Sequence, residues 1–157
     1  MTSFTKIQTD IVIKEVSAET VLSLRALVLR PGKKPADCVN PKDSDPETFH
    51  LGAYIGNELV GVATFENETH STLKAQHSAR LRGMAVHPHF RRRHVGKFLI
   101  EYGEGLLLQK NYDLLWMNAR VNAFTFYESL GFEYWGDEFD IPQIGPHKVM
   151  YKYLSSR

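Results

Sequence analysis

Residues 87–100 read HPHFRRRHVGKFLI, which gathers Arg91, Arg92, Arg93 and Lys97 within seven positions, with His87, His89 and His94 among them and Gly96 inside the cluster. Guanidinium groups pair with phosphate through two-pronged hydrogen bonds and an ammonium adds a point charge, so this set of side chains suits a polyanion. The apolar residues that follow, Val95, Phe98/Leu99, Tyr102 and Leu106, recur at helical spacing, so a helix from about 92 to 110 is expected, with Asn111 as its stop. The cluster therefore stands at a helix N-terminus. Unpaired backbone N–H groups converge there and the helix dipole is positive, which makes an anion site before any side chain is counted. Gly96 removes a side chain where a ligand would come closest. A solvated basic surface is the bland alternative, and the helix-start position favours phosphate.

The rest of the chain does not share this charge. Across 157 residues, 19 Lys and Arg nearly balance 18 Asp and Glu, for a net charge of +1, so the molecule as a whole exerts no general pull on nucleic acid or an anionic membrane. No apolar run approaches the roughly 18 residues that a membrane span requires. The opening stretch, MTSFTKIQTDIVIKEV, lacks the basic start and unbroken apolar core of a signal peptide, and a lone Cys38 makes no internal disulfide, so a cytoplasmic protein is expected. With no repeat, low-complexity tract or long linker, residues 1–157 read as a single domain.

The elements that position the basic cluster follow in order. DIVIKEV is a strand by its β-branched content, and Ser17 then caps a helix with Val21, Leu24 and Val28 on one face, ending before Pro31-Gly32. Pro35, Pro41 and Pro46 make 33–47 a surface loop with one helical turn at most, long enough to suggest a function. HLGAYI and ELVGVATF flank Gly56-Asn57 as a hairpin, and ARLRGMAV is a further strand containing Gly83, whose usual meaning is a bulge or the close approach of another backbone. LLWMNA is a short strand buried on both faces; Asn122 can cap a helix that Gly131 ends, and Phe132–Tyr134 and Lys148–Leu154 supply the last strands. The sum is an α/β protein with a mixed sheet flanked by helices, in which the strand-helix-strand passage from ARLRGMAV to LLWMNA makes those two strands parallel.

LRGMAVHPHFRRRHVGKFLI resembles the cofactor-binding segment of the GNAT superfamily of acyl-CoA-dependent N-acetyltransferases, whose signature is [R/Q]-x-x-G-x-[G/A] at a strand-to-helix turn. Arg91 takes the first position and Gly96 the last. NAFTFYESLGF is similar to the family's later helix ending in Tyr-Glu-x-Leu-Gly-Phe, and the element order matches over nearly the whole chain. The resemblance implies the GNAT-like fold and transfer of an acetyl group from acetyl-CoA to a primary amine. It also implies that Met84, Ala85 and Val86 bind the pantetheine arm through their main chain, while Arg91, Arg92, Arg93, His94, Val95, Gly96 and Lys97 wrap the pyrophosphate. By the same resemblance Tyr127 protonates the departing thiolate, the first helix and the loop after it help form the acceptor pocket, and a homodimer is expected from family habit. His94 stands at the family's first glycine, which restricts the loop while offering an imidazole to phosphate. Arg120, seven residues before Tyr127, stands where many members carry asparagine, which leaves open whether Asn122 takes over its contact.

The general base is open. Arg80 occupies the position at which some members carry a glutamate, and a guanidinium accepts no proton at neutral pH. His147, His50 and His77 titrate in the right range, each with a structural alternative, and a water chain could serve instead. For His87, His89 and His94, Pro88 breaks helical spacing and no cysteine or carboxylate joins them, so no metal site is expected. Cys38 has no histidine partner in sequence and reads as inert. Arg25 and Arg30 read as solvated charges, although an arginine beside an acceptor pocket would favour an anionic acceptor. Two rival functions are a non-catalytic acyl-CoA sensor and a nucleic-acid-binding module built on Arg91 to Lys97; the near-neutral total charge speaks against the second.

Overall fold

The computed structural model describes residues 10–155. β1 (Ile11–Val16) leads into a helical run, α1, that is 3-10 over Glu19–Val21, α over Leu22–Leu24 and π over Arg25–Leu29. Ser17 accepts a hydrogen bond from the Thr20 amide through Oγ at 3.2 Å, the capping expected of it. A single 3-10 turn, Pro35–Cys38, interrupts the proline-rich loop. β2 (Phe49–Ile55) and β3 (Glu58–Asn67) form the hairpin, turned at Gly56 with φ 61°. β4 (Ser78–Val86) precedes α2 (Val95–Gln109), β5 (Leu114–Arg120), α3 (Phe124–Ser129), β6 (Glu133–Ile141) and β7 (Gly145–Tyr153).

The strands run in the order β1-β2-β3-β4-β5-β7-β6, and β4 pairs with β5 in parallel while the other pairings described are antiparallel. This is the mixed sheet flanked by helices that the sequence implied. The chain gathers into two compact units: one runs to Glu66 and takes up Arg82–Gly103, and the other comprises Asn67–Leu81 and the chain from Glu104 onward.

In the first unit, α2 lies on β3 at two glycines. A Cβ at Gly61 would sit 2.7 Å from Val95 Cγ1, and one at Gly103 would press into the Phe65 ring, 2.7 Å from both Cε atoms. The core here includes Val21, Leu24, Val62 and Ala85, with Val28 and Leu29 packed against it. In the second unit, Leu73, Leu114, Trp116 and Val149 form a core with Phe139 and Tyr151 at its edge. Lys152 joins this unit's elements by ion pairing with Glu104 at 3.0 Å and donating to the Leu130 carbonyl at 2.9 Å.

Three expectations change. The long helix begins at Val95 rather than 92, because Arg92 and His94 adopt φ 66° and 65°, which no right-handed helix contains. Asn122 does not cap α3: it lies exposed inside a 3-10 turn, Val121–Ala123, and the residue ahead of α3 is Ala123 with no side-chain cap. The segment read as Phe132–Tyr134 is a nine-residue strand, β6, with a register shift between Trp135 and Phe139 around Gly136 at φ 79°. An almost wholly exposed edge strand has no buried face to impose hydrophobic alternation, so its pattern carried no signal.

Candidate active site

β4 ends at Val86, and the His87 amide donates to the Val60 carbonyl at 2.8 Å, which holds the strand's last turn against β3. Pro88–Phe90 makes one 3-10 turn, and Arg91, Arg92, Arg93 and His94 then pass exposed over the surface to α2. Val95 is only 1% exposed and Gly96 is buried, so the helix start is fixed in the core while the four residues before it face solvent. Arg92 and His94 are both left-handed, at φ 66° and 65°, so the backbone of the loop turns sharply twice; alternation of left-handed with other backbone conformations is the general way in which N–H groups form anion-binding concavities. Lys97 is exposed one residue into the helix's first turn beyond Gly96.

His94 is thereby explained. The position where the family pattern has glycine requires φ of 65°, and histidine is among the few side-chain-bearing residues enriched in that region. The loop does adopt the glycine-favoured conformation with a side chain present. Met84 and Val86 are half-buried and Ala85 is buried, which leaves their main chain as the polar feature of the strand end.

Gly83, read as a bulge or the close approach of another backbone, lies against a side chain. It adopts φ 62°, and a Cβ there would lie 2.6 Å from Arg25 Nε. Arg25 is not a solvated charge: it is 2% exposed and its Nη atoms grip the Asp43 carboxylate at 2.6 and 2.9 Å. Arg25 therefore has no arm to offer an anionic acceptor. Burial by itself would raise the Asp43 carboxyl, yet hydrogen bonds from Arg25 and the Asn40 amide, with the charge of the Arg25 guanidinium, hold it below the usual range.

In the second unit, Tyr127 is buried on α3 with its ring edge-on to Phe126 and Phe132, at centroid distances of 5.0 and 5.7 Å. Burial pushes its hydroxyl well above the ordinary tyrosine range, so at neutral pH it is the uncharged phenol. β5 runs from Arg120 directly into the turn bearing Asn122 and then into α3, and Arg120 pairs in register with His147 of β7.

The three histidines differ sharply. His147 is buried and its Nδ1–H donates to the Gly145 carbonyl at 2.7 Å, which fixes the tautomer and leaves Nε2 as the nitrogen with a lone pair. His50 has both nitrogens engaged, Nε2–H donating to the Asp43 carbonyl at 3.0 Å and Nδ1 accepting from Thr64 Oγ1 at 2.8 Å. His77 stacks on Tyr112 beside Asn111, just ahead of β4 and at the opposite end of β5 from Arg120. Arg80 pairs with Glu68 at 3.2 Å and lies 5.0 Å over the Trp116 ring, a structural role in place of the glutamate base.

The His87 ring lies edge-on to those of His89 and Phe90, and its Nδ1 accepts from the His89 amide at 3.1 Å. Among the described residues no three His, Cys, Asp or Glu side chains converge to hold a metal ion, and no helix is long and apolar enough to cross a membrane. Cys38 is buried, with Sγ 3.6 Å from the Lys34 carbonyl. The network joining Arg25, Asp43, Thr64 and His50 had only one trace in the sequence, the glycine at 83 within a strand.

The comparisons with known proteins agree with this geometry. Residues 21–132 match the model of the acetyltransferase (GNAT) family. An uncharacterized N-acetyltransferase of Bacillus subtilis (strain 168), YitI, is 34% identical over 142 residues, covering 90% of this chain and 95% of that protein. Ard1 from Thermoplasma volcanium has the same fold at a TM-score of 0.74 and 18% identity, covering 94% of this chain and 100% of its own. An aminoglycoside 6'-N-acetyltransferase solved with coenzyme A follows at a TM-score of 0.70 and 16% identity, covering 93% of this chain and 98% of its own. From the basic turn at β4–α2, the tyrosine helix and these matches, the chain belongs to the GNAT superfamily and is an N-acetyltransferase.

Proposed function

We propose that this enzyme uses acetyl-CoA and transfers the acetyl group directly to a primary amine. The observation that carries the cofactor assignment is the pair of left-handed residues, Arg92 and His94, which orient the amides of an exposed basic loop at the start of α2. That arrangement fits a pyrophosphate. Arg91, Arg92, Arg93, His94 and Lys97 would neutralise it, Val95 and Gly96 would present their amides, and Met84, Ala85 and Val86 would pair along the pantetheine arm. Asn122 is assigned a further contact by the same resemblance. Acetyl-CoA supplies a thioester activated toward attack by a deprotonated amine.

The chain's own groups handle the protons. Tyr127, a neutral phenol at neutral pH, is assigned by the resemblance the proton delivered to the leaving sulfur. His147, with Nδ1–H committed to a carbonyl, presents Nε2 as the base that takes the amine's proton. The acceptor is a small amine, a peptide N-terminus or a protein lysine, and the cytoplasm is the compartment assigned. A panel of a polyamine, an aminoglycoside and a lysine peptide, followed by CoA release, tests the reading. Tyr127→Phe should lower kcat by about 10²- to 10⁴-fold with acetyl-CoA affinity unchanged. Weakened acetyl-CoA binding at undiminished kcat would remove the acid role.

A further inference from the structure

Arg25 begins the π-helical segment of α1, a geometry that recurs at functional sites. Its guanidinium sits at a junction of three segments. Nη1 donates to the Cys38 carbonyl at 3.0 Å and to Asp43 Oδ2 at 2.6 Å; Nη2 donates to Asp43 Oδ1 at 2.9 Å and to Thr64 Oγ1 of β3 at 2.8 Å. The remaining donor, Nε–H, is buried without a hydrogen-bond partner and packs directly over Gly83 of β4.

The loop end of this junction is held twice. Asp43 Oδ2 also accepts from the Asn40 amide at 2.9 Å, and the Asp43 carbonyl accepts from His50 Nε2–H at 3.0 Å, with Thr64 bridging His50 to Arg25. A buried ion pair is a weak device for stability, since apolar side chains of the same volume commonly serve as well. What a bidentate fork supplies is register: two parallel hydrogen bonds fix the relative position of the groups that carry them.

We propose that Arg25 is a positioning residue that makes the geometry of the Cys38–Asp43 loop depend on the backbone at Gly83, one residue before Met84–Val86. Resting on the reading that acetyl-CoA engages Met84–Val86, the proposal is that cofactor binding reaches the loop through this contact. Any shift of the left-handed residue at 83 moves the surface against which Nε is packed, and the fork carries that displacement to Asp43. The loop is thereby set in register with the strand assigned to the pantetheine arm.

Hydrogen exchange of the full chain, followed by mass spectrometry with and without acetyl-CoA, separates the possibilities. In the wild type, acetyl-CoA should slow exchange at Met84–Val86 and, by about fivefold or more, in peptides spanning 38–48. Arg25→Lys keeps the charge without the fork, and Gly83→Ala places a methyl against Nε; both should retain protection at Met84–Val86 and lose it in the loop. Should either fail to fold, the other asks the same question from the opposite side of the contact. Loop protection that persists in a folded variant, or wild-type protection confined to Met84–Val86, overturns the proposal while leaving the cofactor reading intact. Absence of protection at both places overturns the cofactor reading, and this proposal with it.

Discussion

His94 offers a sharp prediction because its backbone makes a demand its side chain only partly meets. At φ 65° an L-residue bears a cost of about 1–2 kcal/mol relative to right-handed conformations, and glycine bears none. Glycine also gains about 0.4–1 kcal/mol of conformational freedom in the unfolded chain, which offsets part of that relief. His94→Gly should therefore be near neutral to stabilising, by about 0–1 kcal/mol. His94→Val is different: a β-branched side chain is a genuine outlier in this region, and it should cost about 1–2 kcal/mol beyond histidine. For a chain of this size each kcal/mol moves the midpoint by about 2–4 °C, so the valine variant should melt about 2–8 °C below wild type. Should its loop escape the strain by leaving φ of 65°, the amides it aims are lost and acetyl-CoA affinity falls about tenfold per 1.4 kcal/mol of contacts forfeited. Differential scanning fluorimetry and titration calorimetry, run on the wild type and both variants, read the two effects. A valine variant that melts and binds like the glycine variant would show that the left-handed geometry at 94 carries no role.

Two glycines on α2 should respond oppositely to alanine. Gly103→Ala forces a methyl into the Phe65 ring, which is buried and stacked on Phe49 at 5.0 Å, and should cost about 1–3 kcal/mol by overpacking, read as a lower melting temperature. Gly105→Ala, with nothing within 4 Å of the new Cβ, should stabilise the helix by up to about 1 kcal/mol. Asp43 adds a pH dependence: its folded-state carboxyl lies below the ordinary 3.8, so its contribution is complete above that value and is lost as pH falls from there through the lower folded-state value. Melting temperatures measured from pH 6 to pH 2.5 should show that loss in the wild type and a shallower acid limb in Asp43→Asn; parallel limbs would remove Asp43 from the account.

The β2–β3 hairpin and the one parallel passage were legible because the buried strands are continuous apolar runs and α2 repeats its apolar residues at helical spacing. β2, β3, β5 and α2 have buried faces and were found within a residue or a few of their ends. β6 has almost no buried residue, so only its first residues were recognised. The basic turn was legible from composition and from its place before a helix. Its backbone was not, because the φ angles of Arg92 and His94 are imposed by the path from the Pro88–Phe90 turn to the buried Val95. Arg25 was misread as exposed for a related reason: what buries it is Asp43, Thr64 and Gly83, at separations of 18, 39 and 58 residues, and no local pattern announces such a contact. Gly83 was the single hint, and it named a close approach without naming the partner.

Whether the β4–α2 turn holds the pyrophosphate of acetyl-CoA is decided by calorimetric titration of acetyl-CoA into the wild type and Arg91→Ala. Binding should be saturable in the wild type and weakened about tenfold or more in Arg91→Ala through loss of a charge-assisted pair of about 1.5–3 kcal/mol. Absence of binding to the wild type at millimolar acetyl-CoA, or equal affinity in the two proteins, would contradict it.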